Sequence, residues 1–218
     1  MSAFIVACTR SVTSMSVDEF VAYVARVSNP SNQTNHQTAP KLMKYLIENK
    51  HWSSFEMAHV VMEIEITRDI ARQILRHRSF AFQEFSQRYA DPTKDLGFVT
   101  REARMQDTKN RQNSIETEDD QIKKLWNTYQ KNHIHAAEGV YKWAIENGIA
   151  KEQARAVLPE GLTVSKLYMA GSLRSWIHYC QLRTTNGTQK EHREVAIDCW
   201  YSLIKEFPSL KDLNLISL

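Results

Sequence analysis

Five arginines stand between positions 68 and 88, in the run R-D-I-A-R-Q-I-L-R-H-R followed by S-F-A-F-Q-E-F-S-Q-R-Y. Arg grips phosphate through a planar fork of donors. The spacing predicts a helix over 68–78, with Arg68, Arg72 and Arg76 four apart on one face. Like charges at that spacing cost an isolated helix roughly 0.2–0.5 kcal/mol per pair, part of which Asp69 can offset through Arg72. On the other side Ile70, Ile74 and Leu75 anchor the helix. After Arg76-His77-Arg78 the chain runs into a segment that reads as extended, on which Glu84 and Ser86 alternate and so share a side. Gln87 and Arg88 fall just beyond. Guanidinium groups crowded beside a carboxylate and a hydroxyl are costly unless an anion completes them. The pattern points to a phosphorylated ligand with a hydrogen-bonding ring.

Composition narrows how such a ligand is held. The 218 residues include only six glycines, and no two of them form G-x-G. The dinucleotide fingerprint and the P-loop are thereby excluded, since both need glycine where backbone meets phosphate. A nucleotide site in this chain is therefore built from side chains. At 42% hydrophobic and 24% charged, the chain is an ordinary globular protein. Its net charge of +3 is too small to establish a nucleic-acid partner. No membrane span or signal peptide is expected. Cys8, Cys180 and Cys199 fit a reducing, cytoplasmic setting rather than a disulfide framework. Each reads as a packing residue, with Cys180, close to Arg183, the one candidate for reactivity. No metal is expected: His133 and His135 point to different sides of a helix, Ala81 stands four residues after His77, and C-x-x-C and H-E-x-x-H are absent.

The elements that must position these residues read as one α+β domain over 1–218, a central, mostly antiparallel sheet packed by helices. Residues 3–9 predict a short buried strand. Ser16 and Glu19 form a capping box opening a helix to about Val27. Asn29-Pro30 ends it, residues 31–38 form a polar loop, and Pro40 starts a second helix. Residues 58–67 alternate, with Val60, Met62, Ile64 and Ile66 on one face. Residues 82–89 and 98–100 look extended or looped, and 104–114 reads as a mobile loop. A long helix spans about 116–147 to Gly148; its Trp126, Tyr129 and Trp143 suit core or a subunit interface. A turn covers 150–157 before Pro159. Residues 162–170 fit strand or helix equally. Helices over about 172–182 and 188–207 close the chain, the last with the core stripe Ala196, Trp200, Leu203 and Phe207.

Arg76 to Arg88 resembles the signature of the flavin-dependent thymidylate synthases, R-H-R-x-x-S-x-N-E-x-S-x-R. Arg76, His77, Arg78, Glu84, Ser86 and Arg88 match in register, while Ala81 and Gln83 stand where the family has serine and asparagine. Four further pieces resemble the family in order: Ala25-Arg26-Val27-Ser28, His51-x-Ser53-x-x-Glu56, Ala154-Arg155-x-x-Leu158-Pro159, and a C-terminal block of Arg174-Ser175, Leu182-Arg183 and Gln189-x-Glu191. Ser172 and His178 occupy positions where many members carry asparagine.

The resemblance implies an enzyme that makes dTMP from dUMP, with 5,10-methylenetetrahydrofolate as carbon donor and NADPH reducing bound FAD, and with no cysteine nucleophile. It implies that Gln73, Arg76, Glu84, Ser86, Gln87, Arg88, Arg155 and Arg183 line the dUMP pocket. Arg88 and Arg155, with Ser86 and the Gln87 backbone, would hold the phosphate. Arg183 would be catalytic. Because a guanidinium stays protonated, its part is to stabilise the uracil anion. For FAD the resemblance implies Ser28, His51, Ser53, Arg76, His77, Arg78, Glu84, Ser172, Arg174 and His178. Arg78 and Arg174 would sit on the pyrophosphate, and His51 would border the nicotinamide or folate space. It also implies a homotetramer with sites between subunits. The competing expectation is a non-catalytic nucleic-acid-binding protein using the Arg68–Arg104 region.

Overall fold

The computed structural model describes residues 1–213 and Ile216. In chain order the elements are β1 (Ser2–Cys8), α1 (Val17–Ala25), α2 (Ala39–Glu48), β2 (His59–Thr67), α3 (Arg68–Ile74), β3 (Ala81–Glu84), α4 (Pro92–Asp95), β4 (Arg104–Gln106), β5 (Ser114–Glu116), α5 (Asp120–Glu146), α6 (Lys151–Ala154), β6 (Val164–Ser172), α7 (Leu173–Arg183) and α8 (Lys190–Glu206). Four strands form one antiparallel sheet in the order β1-β2-β6-β3. All nine residues of β2 pair with β6, with Glu63 opposite Tyr168 at the centre and Met62 opposite Met169 beside it. The alternation in β2 works as expected: Val60, Met62, Ile64 and Ile66 are fully buried. They join Trp176 and Ile177 of α7 and Val195, Cys199 and Leu203 of α8 in the main core. Fully burying one such side chain is worth ~1.5–3 kcal/mol, so this face is the chief anchor of the sheet.

The Ser16–Glu19 capping box forms, with Ser16 N donating to Glu19 Oε2 at 2.7 Å and Glu19 N to Ser16 Oγ at 3.2 Å. Ala196, Trp200, Leu203 and Phe207 are all buried. Residues 164–172 resolve as a strand, and it is the one that joins β2 to β3.

Four expectations are corrected. The first strand is an edge strand whose Phe4 and Val6 are exposed, with only Ala3 in the core. The 68–78 helix stops at Ile74; the next turn is held by His77 N donating to the Ile74 carbonyl at 3.1 Å. That turn lets Phe80 lie on Gly171 of β6, where a Cβ would come within 2.5 Å of the ring. Tertiary docking of His77 and Phe80 thus overrides the helical spacing of the arginines. The β3 strand ends at Glu84, so Ser86 does not share its face by alternation; Ser86 Oγ instead accepts from Arg88 N at 3.4 Å within a turn. Finally, the stretch expected to be a mobile loop holds the β4–β5 hairpin.

Candidate functional site

The residues singled out from the sequence fall into three polar groups. No side-chain hydrogen bond or ion pair joins one group to another among the described residues.

The first group lies between the end of α3, the C-terminal half of α7 and the start of α8. Arg183 Nε donates to His77 Nε2 at 3.0 Å. That bond needs a bare Nε2, so the His77 proton sits on Nδ1. Burial, and next the Arg183 charge, push His77 down to about 4, which keeps it neutral and able to accept. The Nη groups of Arg183 meet no acceptor among the described residues. The imidazole also stands edge-on to Tyr179, with ring centroids 5.0 Å apart. Gln73 Nε2 donates to Gln189 Oε1 at 2.9 Å, and Gln73 Oε1 lies 3.1 Å from His192 Nδ1. His192 Nε2 lies 3.1 Å from the Tyr179 hydroxyl.

The second group surrounds the start of α3 and the end of β3. Glu84 Oε1 accepts from Ser165 Oγ at 2.9 Å and pairs with Arg68 at 3.6 Å. Arg68 and Arg72 both reach Glu160, at 3.7 and 3.4 Å. Asp69 does not offset Arg72 as expected; it holds Arg101 at 2.6 Å. Arg88 is 3.2 Å from Glu152, but both side chains are at least half exposed. Such a pair is worth little, so a phosphate dianion can displace the carboxylate. Gln87 is 4% exposed, and its Nε2 has no partner. An unmet buried donor costs ~1–3 kcal/mol, which an acceptor on a ligand would recover. Arg155 opens the short helical turn Arg155–Val157, and its charge is felt at Arg68.

The third group sits where β6 turns into α7. Arg174 Nη1 donates to Glu56 Oε1 at 2.6 Å. Ser172 is buried, and its Oγ caps α7 by accepting from Ser175 N at 3.3 Å. His178 packs edge-on against Trp52 at 4.7 Å. Ser53 and His51 are exposed nearby in sequence, His51 beside Tyr45. Ser28 is exposed beyond α1, where Arg26 anchors the loop through the Asn35 carbonyl and Thr38 Oγ1. Arg76 and Arg78 are exposed and make no ion pair among the described residues.

A protein family described as "Thymidylate synthase complementing protein" matches residues 11–209. A probable flavin-dependent thymidylate synthase of Paramecium bursaria Chlorella virus 1 is 50% identical over 214 residues, covering 96% of this chain and 97% of that protein. The chain belongs to the flavin-dependent thymidylate synthase family. The flavin-dependent thymidylate synthase of Synechocystis is 47% identical over 90% of this chain and 88% of its own length. A UMP/dUMP methylase PolB from Streptomyces cacaoi, crystallised with 5-Br UMP, superposes with a TM-score of 0.80 at 24% identity, over 100% of this chain and 96% of that one; it shares the fold.

For a family member, the thiols are informative. Cys180 and Cys199 are buried, and desolvation pushes both upward; Cys8, bonded to Glu206 at 3.3 Å, is also raised, by burial first. None is poised as a thiolate nucleophile. The Arg68–Arg104 region is also not an open basic patch. Arg68, Arg72, Arg88, Arg101 and Arg104 each have a carboxylate within 4 Å, leaving Arg76 and Arg78. Sequence reasoning did not assign roles to Tyr179, Gln189, Glu191 and His192. Tyr179 could have been found four residues before Arg183 on one helix face, and the others from the Gln189-x-Glu191 element.

Proposed function

We propose that this protein is an FAD-dependent thymidylate synthase, converting dUMP to dTMP with 5,10-methylenetetrahydrofolate as carbon donor and NADPH as reductant. Arg183 carries this conclusion. Its Nε is held by neutral His77, and its fork has no other partner among the described residues, which suits a planar anionic edge. There it stabilises negative charge on the uracil as N3 loses its proton. Gln73 and Arg76 complete the same pocket. Arg88 and Arg155, with Ser86 and the orphaned Gln87 amide, bind the phosphate. Glu84, held by Ser165 and Arg68, orients the pocket.

The donor set suits FAD. Arg78 and the half-exposed Arg174 offer cations to a pyrophosphate, and Ser28, Ser53, His51 and His178 offer exposed hydrogen-bonding groups. Ser172 serves here through the α7 cap rather than with a free hydroxyl. Bound FAD supplies the hydride chemistry; the protein positions and shields it. With no thiol poised to attack, the route needs no enzyme cysteine.

The three unjoined groups support sites completed between subunits of a homotetramer. So does α5, where Ile122, Leu125, Trp126, Tyr129, Val140 and Trp143 form an exposed apolar stripe at helical spacing. No helix among the described residues is long and apolar enough to cross a membrane. A cytoplasmic setting agrees with three free thiols.

Tritium release from C5-labelled dUMP tests the assignment. The complete reaction mixture should release tritium. Arg183→Ala should lose about a hundredfold or more of it while retaining bound flavin. Unchanged release would remove Arg183 from the mechanism.

A further inference from the structure

Glu191 lies in the first turn of α8, is 4% exposed, and splits its two oxygens between different partners. Oε1 accepts from Arg104 Nη2 at 2.6 Å, and Oε2 accepts from Gln189 Nε2 at 3.0 Å. Burial alone would raise its pKa, but a backbone hydrogen bond and the Arg104 charge hold it below the ordinary carboxylate range. It is therefore an acceptor only.

That single constraint propagates. Gln189 must turn its NH2 to Glu191, so its carbonyl oxygen faces Gln73. Gln73 must then give its NH2 to Gln189 and turn its carbonyl oxygen to His192. His192 Nδ1 must carry the proton, which leaves Nε2 bare and obliges the Tyr179 hydroxyl to donate. His192 is fully buried and strongly disfavours a second proton, so it cannot escape the constraint by donating both ways. Every link is 2.9–3.1 Å long.

We propose that Glu191 is a positioning residue for dUMP binding: through one directed hydrogen-bond chain, Glu191–Gln189–Gln73–His192–Tyr179, it fixes which end of the Gln73 amide meets the nucleotide. This rests on the assignment of Gln73 to the dUMP pocket. An amide presented backwards offers a donor where the nucleotide needs an acceptor, or the reverse. A merely structural Glu191 would not care which way the chain runs.

Glu191→Gln makes the distinction sharp. Arg104 can only donate, so the new amide must give its oxygen to Arg104 and its NH2 to Gln189. Every later link then reverses, and the His192 proton moves from Nδ1 to Nε2. Arg104→Gln is the control: the carboxylate remains, so the direction of the chain is kept. Both variants are compared with the wild-type holoenzyme near pH 8 by nitrogen-15 NMR of the imidazoles, with His192 assigned by His192→Asn, and by equilibrium titration with dUMP. The expected result is an Nδ1–H tautomer in wild type and Arg104→Gln, an Nε2–H tautomer in Glu191→Gln, and about tenfold weaker dUMP binding in Glu191→Gln alone, the loss from mispairing one buried hydrogen bond. Should Glu191→Gln fail to fold, Gln189→Met cuts the same chain with the Glu191–Arg104 pair intact, and should weaken dUMP similarly. An unmoved His192 proton in Glu191→Gln overturns the chain. A moved proton with unchanged dUMP affinity overturns the positioning role, as does unchanged affinity in Gln189→Met. Failure of the wild type to make dTMP, with both readouts as expected, would count against the enzymatic assignment alone.

Discussion

Replacing His192 with Asn should change how stability depends on pH, by an amount the structure sets. His192 is fully buried, and burial first, then the Arg183 and His77 charges, push it down to about 3. In the unfolded chain it titrates near 6.5. Between those values the unfolded state binds a proton that the native state refuses. Stability from this group is thus complete above about pH 6.5 and is lost as pH falls toward 3, at about 1.4 kcal/mol per unit. From about pH 7 to about pH 4.5 the loss is about 2.5 kcal/mol. Asn can keep the donor to Gln73 but cannot reach the Tyr179 hydroxyl, so the variant should start ~1–3 kcal/mol less stable at neutral pH. It lacks the titrating group, while His77 titrates in both proteins. Urea unfolding at fixed protein concentration should show the difference in stability shifting by about 2.5 kcal/mol in the variant's favour as the pH is lowered, closing or reversing the initial gap. Parallel curves would mean that His192 takes up its proton normally in the native state, and would refute the buried neutral imidazole.

Two other substitutions address the fold and the assembly. Gly171→Ala places a Cβ 2.5 Å from the Phe80 ring; it should cost ~1–3 kcal/mol in urea unfolding, and a neutral result would mean that the turn after α3 moves freely. Trp143→Glu puts a charge in the exposed stripe of α5, where Trp143 is 58% exposed in the single chain; sedimentation should show smaller species than the wild type, and an unchanged sedimentation profile would overturn the proposal that this stripe is a subunit interface.

What could be read from the sequence had local causes. The β2 strand was legible because one face is fully buried and the other is not, which writes a period of two into the residues. The Ser16–Glu19 box and the α8 stripe were legible because three- and four-residue spacings carry their whole meaning. The end of α3 was not: Arg68, Arg72 and Arg76 kept helical spacing past the point where His77 and Phe80 leave the helix to pack on Tyr179 and Gly171. The β4–β5 hairpin was missed because its strands are three residues each and mostly exposed. It is tied down by charge, through Arg104 to Glu191 and Lys190 to Glu116. Most of the candidate site residues were named through motif resemblance, yet the partners that orient them were not. Gln73 and His192 lie 119 positions apart, and only the fold makes them neighbours.

The central claim, that this chain couples flavin reoxidation to methylation of a uracil nucleotide, is tested most directly by one anaerobic measurement. The FAD-loaded protein is reduced with NADPH, mixed with 5,10-methylenetetrahydrofolate, and followed by flavin absorbance with and without dUMP. Return of the oxidised flavin spectrum only when dUMP is present, with dTMP formed in equal amount, is the predicted result. Reoxidation that proceeds equally without dUMP, or dTMP formation that leaves the flavin reduced, would contradict it.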